Sequence, residues 1–74
     1  MKVWIVEDIN GETVVAQTAT VAYNICRKSI LENEDDDEAA EEFLNELAHS
    51  YSDSRANFGV EGIIWARTTD VIKE

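Results

Sequence analysis

The chain has no proline, one cysteine and one histidine in 74 residues. The lone Cys26 excludes an internal disulfide and a cysteine-built metal site. No apolar run approaches the ~20 residues of a membrane span. The opening Met1-Lys2-Val3-Trp4-Ile5-Val6-Glu7 turns acidic too early for a signal peptide, so the expected compartment is the cytoplasm. Positive charge is also scarce: six bases stand against sixteen acids, a formal charge of −10. That balance disfavours direct contact with nucleic acid or an anionic membrane, because both need a positive surface.

What is present is enough for one compact domain, residues 1–74. Hydrophobic residues make up 45%, an ordinary globular share that argues against disorder. A chain this short buries only about 60–65% of its unfolded surface, so the core is small. There is no internal repeat and no linker.

The acids are unevenly placed. Glu32, Glu34, Asp35, Asp36, Asp37, Glu38, Glu41, Glu42 and Glu46 fall in one window without a single base. The remaining residues hold seven acids and six bases, so almost the whole imbalance is this segment.

Val3 to Asp8 is β-branched and aromatic, and Asn10-Gly11 follows it. That dipeptide predicts a two-residue hairpin turn with Thr13–Ala19 returning. Glu7 then faces Val14 and Ile5 faces Ala16. Val3, Ile5, Val14 and Ala16 share one face, and Trp4, Val6 and Val15 the other; both are apolar, so the pattern does not choose between them. Thr20 is positioned to cap a helix from Val21, with Ala22, Ile25, Cys26, Ser29 and Ile30 on one side. Arg27 and Lys28 lie near its end, where positive charge is favoured.

The second helix is the clearest. Ala40, Phe43, Leu44, Leu47, Ala48 and Tyr51 follow the helical stripe. Glu38, Glu41, Glu42, Glu46 and His49 fall opposite. Asp35 and Glu38 fit a D-x-x-E start. Ser50 to Gly59 reads as a polar loop, and Gly62 to Ile72 as a last strand. The expected fold class is α+β: a small antiparallel or mixed three-stranded sheet with two helices on one face, in the order β-β-α-α-β.

Catalytic and metal chemistry is not encoded in any motif. A calcium loop started at Asn33 puts Glu38 where glycine is needed and Leu44 where an acid is needed. Cys26 and His49 sit on different helical faces, so they form no nucleophilic pair. Gly59 and Gly62 make no phosphate loop, and the serines near Asp53 lack a nucleophile-elbow context. Trp4 and Trp65 fit core packing, or an interface anchor if either is exposed. No cofactor and no enzymatic activity are expected.

The acidic face remains. Its plain reading is solubility. Two features support a sharper one. A solubility face usually mixes signs, since i,i+4 Glu–Lys pairs stabilise helices, whereas this face has no base. Its charges also recur every ~2.5–3 Å of helix, close to the ~3.4 Å spacing of phosphates along one DNA strand. The expected binding residues are Glu34, Asp35, Asp36, Asp37, Glu38, Glu41, Glu42 and Glu46, and the expected partner is a basic protein surface. The alternative is a small accessory or antitoxin-like interaction module. It would self-associate or bind through an apolar patch or a sheet edge near Val3–Val6 or Gly62–Thr68.

With its short length, its Lys2-Val3-Trp4-Ile5-Val6-Glu7 opening and its Asp35-Asp36-Asp37-Glu38-x-x-Glu41-Glu42 helix start, the chain resembles the small acidic proteins that bacteriophages and other mobile elements encode to block host enzymes, among them DNA mimics and anti-CRISPR inhibitors. The resemblance implies a stoichiometric inhibitor that occupies a basic nucleic-acid channel in the host cytoplasm.

Overall fold

A computed structural model describes residues 2–70. Strands β1 (Lys2–Asp8) and β2 (Thr13–Ala16) are followed by helices α1 (Ala19–Asn33) and α2 (Asp37–Asp53), then by β3 (Asn57–Val60) and β4 (Ile64–Asp70). The fold is α+β, but the sheet has four strands, in the order β2-β1-β4-β3, and every neighbouring pair is antiparallel. The three-stranded expectation missed β3. The expected last strand begins two residues later than Gly62, and its Val71 and Ile72 lie outside the described residues.

The β1–β2 turn corrects the hairpin register. Asp8 N–H donates to the Glu12 carbonyl, so the loop has three residues, Ile9 to Gly11. The Asp8 carboxylate accepts from the backbone N–H of Asn10 and Glu12, at 2.9 and 3.0 Å, and holds the loop shut. Within this loop only Gly11 takes positive φ, at 83°, as expected for the left-handed residue that closes a three-residue loop. The added residue shifts the pairing by one: Val6 faces Val14 and Ile5 faces Val15. A one-residue shift exchanges faces. Val6 and Ala16 are therefore in the core with Trp4 against it, while Val3, Ile5 and Val15 turn away. Replacing Gly11 by alanine is expected to cost about 1–2 kcal/mol, read by chemical denaturation, because Cβ disfavours the left-handed region.

Thr18, rather than Thr20, caps α1: its hydroxyl accepts from Val21 N–H at 3.1 Å. The chain leaves β2 at Ala16, so Thr18 holds the extended conformation a cap needs and Thr20 is already inside the first turn. The buried stripe is Ala22, Cys26 and Ile30. Because α1 runs to Asn33, Arg27 and Lys28 lie before its last turn, which contains no base.

Helix α2 starts at Asp37, capped by Asp36, and its inner stripe buries Ala40 and Leu47, with Phe43, Leu44 and Tyr51 half-buried. Ala48, expected in that stripe, lies at its edge and is exposed. The expected loop from Ser50 is helical through Asp53. The Ser50 hydroxyl accepts from Gly59 N–H at 3.0 Å, tying the helix to β3. Gly59 stands opposite Trp65, and a Cβ there would come within 2.4 Å of the Ile64 carbonyl and 2.8 Å of Trp65. Only glycine fits at that crossing.

Both helices pack on one side of the sheet, α1 across β1 and β4 and α2 against β3. Tyr23, Tyr51 and Phe58 join α1, α2 and β3 at ring separations of 4.6, 4.9 and 6.5 Å. No helix among the described residues is long and apolar enough to cross a membrane.

Candidate functional site

The eight expected binding acids divide between a short connector and α2. Glu34, Asp35 and Asp36 lie between the helices, so the acidic helical face begins at Asp37 and not at Glu34. Two connector acids have backbone duties. Glu34 is the C-cap of α1, where its N–H donates to the Ile30 carbonyl, and its Oε1 accepts from Asp36 N–H at 3.3 Å. Asp36 is the N-cap of α2, its Oδ1 accepting from Glu38 N–H at 3.1 Å. This places the cap one residue later than the D-x-x-E start at Asp35. Glu34 is half-buried; the other seven acids are exposed.

On α2 the acids fall where the helical period puts them. Glu38, Glu42 and Glu46 form an i, i+4 row, with Glu41 beside it, opposite the buried Ala40 and Leu47. Asp37 and Glu38 sit in the first turn, where the unpaired N–H groups favour negative charge. Further along, successive acids at i and i+4 repel one another by a few tenths of a kcal/mol per pair. Among the described residues none of the eight acids lies within ion-pair distance of a base.

Glu32, at the edge of the acidic window, is the exception. It lies 3.8 Å from Lys28 one turn earlier on α1. Both groups are exposed, so the pair contributes little. Its i, i+4 spacing was visible in the sequence, but a count confined to the window hides it. Of the other bases, Arg55 sits just past the end of α2, over the Tyr51 ring at 5.3 Å, while Arg27 is on α1, Lys2 on β1 and Arg67 on β4.

Cys26 and His49 are far apart in environment, one fully buried in the core and the other exposed on α2. Burial pushes the Cys26 thiol up to about 12, against a smaller lowering by a backbone hydrogen bond. The nucleophile and metal ligand is the thiolate, so this group is inert in the folded chain. A thiol reagent is expected to label Cys26 only on unfolding. Because the folded thiol ionises above the ordinary 9.0, its contribution to stability is complete below pH 9 and is lost as pH rises toward about 12. A denaturation series across that range reads the loss. Among the described residues, no three His, Cys, Asp or Glu side chains are grouped to hold a metal ion.

Among the described residues the arrangement offers an exposed row of carboxylates and no sheltered pair of titrating groups. Comparison with protein-family models, curated proteins and solved structures finds no match to the chain.

Proposed function

We propose that this chain is a non-enzymatic acidic binding protein that presents α2 to a basic protein surface in place of a nucleic-acid strand. The observation that carries this reading is the unneutralised acidic face of α2. From Asp37 to Glu46, five acids occupy nine residue steps. At 1.5 Å per residue that is about 14 Å, or one charge per roughly 3 Å. The phosphates of one DNA strand recur at about 3.4 Å. A groove lined with lysine and arginine to bind phosphates meets a similar linear charge density here.

Rigidity supports the same reading. The Asp36 cap, the buried Leu47 and the Ser50–Gly59 hydrogen bond fix α2 on its sheet. A row held in place loses little freedom on binding. The uncompensated i, i+4 repulsion along α2 is relieved when a basic surface covers it. The proposed role is therefore stoichiometric inhibition of a nucleic-acid-binding enzyme.

The direct test is competition. A protein bound by this chain is expected to release its nucleic acid as the chain is added, with an affinity that falls steeply as salt is raised. Binding that leaves the nucleic acid in place, or that is indifferent to salt, contradicts the proposal.

A further inference from the structure

The sheet face opposite the helices has no layer over it among the described residues. Val3 and Ile5 on β1, Val15 on β2 and Trp65 on β4 point to that side, and none belongs to the core cluster. Val15 is 63% exposed and Trp65 38%. The register aligns them: Val15 faces Ile5, Ile5 faces Arg67, and Glu7 faces Trp65. Between β1 and the β3–β4 turn, this face opens into a hollow of about 320 Å³ lined by Ile5, Glu7, Ile9, Ile63, Trp65 and Arg67. Trp65 is held upright over Gly59, its indole N–H donating to the Asn57 side chain.

We infer that this face is a self-association surface, occupied by a second copy of the chain packed sheet to sheet about a two-fold axis. Charge selects that occupant. On the strands the face carries one acid, Glu7, and one base, Arg67, diagonal neighbours across β1 and β4. It is close to neutral on a chain of formal charge −10. In a two-fold pair the same patch meets itself, so each Glu7 can approach the other copy's Arg67. A basic partner is drawn instead to the opposite side, where α2 lies.

The geometry also removes the main obstacle to pairing, the repulsion of two acidic chains. Stacked sheets lie ~10 Å apart, with a helix layer ~10 Å beyond each sheet, so the two α2 helices are separated by roughly 30 Å. That exceeds the ~8–10 Å screening length at ordinary salt. Area sets the strength. Four strands ~4.8 Å apart and up to seven residues long span roughly 400 Å² of sheet plane. A standard interface buries ~800 Å² per partner, so this pair belongs to the weak, reversible class.

Sedimentation of the full chain, from about 5 to about 500 µM, brackets the micromolar affinities of weak interfaces and tests the inference. The mass is expected to rise from 8.3 kDa toward twice that value. Added salt should leave the association unchanged or strengthen it, by screening the net charge. Trp65→Lys, on an inner strand, should raise the half-association concentration about tenfold or more, as loss of a central aromatic anchor does, and Val15→Lys, on the outer strand β2, should raise it in the same direction. Val15 lies outside the core, so its variant keeps the test valid if Trp65→Lys disturbs β3. A chain that stays monomeric at the highest concentration overturns the inference. So does a dimer that salt dissolves, or one that both substitutions leave intact. Quadruple Glu→Gln replacement on α2 should spare the dimer while removing any basic partner, which separates this inference from the acidic-face proposal.

Discussion

Phe58→Ala is expected to remove about 3–5 kcal/mol of stability, the usual cost of truncating a buried aromatic. A chain of this length has only about 4–11 kcal/mol in total at 0.05–0.15 kcal/mol per residue. The substitution therefore brings the fold to the edge of unfolding at room temperature. Phe58 is fully buried, and its ring meets Tyr51 edge-on at 4.9 Å and Tyr23 at 6.5 Å. Removing it opens a cavity where α1, α2 and β3 converge. No disulfide staples the layers, since the one cysteine is free. Urea denaturation measures the effect, with Val21→Ala as the control. Val21 is half exposed on α1, so that change should stay within about 0.5 kcal/mol. Equal losses for the two variants would mean that Phe58 does not organise the core.

The second large effect concerns binding. Reversing Glu38, Glu41, Glu42 and Glu46 to lysine adds two charges at each position and moves the formal charge from −10 to −2. Partner binding through α2 is expected to disappear, because the row becomes repulsive to a basic surface. Lysine at Glu38 also opposes the helix dipole, at about 0.3–1 kcal/mol, so the reversed chain must be shown to be folded. The neutral set Glu38→Gln, Glu41→Gln, Glu42→Gln and Glu46→Gln avoids that difficulty. It keeps the helical propensity, removes the i, i+4 repulsion and is expected to melt no lower than the native chain. Loss of binding in both sets, with the fold retained, assigns the effect to charge. Unaltered binding in either set removes the basis of the proposal.

The sequence made α2 legible because two independent signals agree there, an apolar stripe at helical spacing and an acidic first turn. The same phase placed Glu38, Glu41, Glu42 and Glu46 on the exposed side, where the structure has them. The connector was less legible. Asp35, Asp36 and Asp37 are chemically equivalent as caps, and only the path out of α1 selects Asp36.

The hairpin shows a different limit. Asn10-Gly11 marked the turn correctly but not its length. The Asp8 carboxylate gathers two N–H groups and leaves Gly11 as the left-handed residue, which adds one residue to the loop and exchanges the faces. With both faces apolar, nothing in the pattern could detect the slip. Strand β3 was missed because four residues with a central glycine resemble a loop. Its signal is the alternation of Phe58 and Val60, both buried, about a glycine that the facing Ile64 carbonyl and Trp65 require. That both hairpin faces are apolar is read from the alternation; which of them turns away from the helices appears once the register is known.

The central claim is that the α2 carboxylates are a binding surface and not merely a solvated one. The most direct measurement is quantitative capture by the native and charge-reversed chains side by side, at about 50 mM and about 200 mM salt, a range over which phosphate-like contacts weaken by orders of magnitude. The account predicts that the native chain retains a nucleic-acid-binding protein at low salt, loses it at high salt, and that the reversed chain retains it at neither. Equal retention by both chains at both salt concentrations would contradict the account and leave the acidic helix a source of solubility alone.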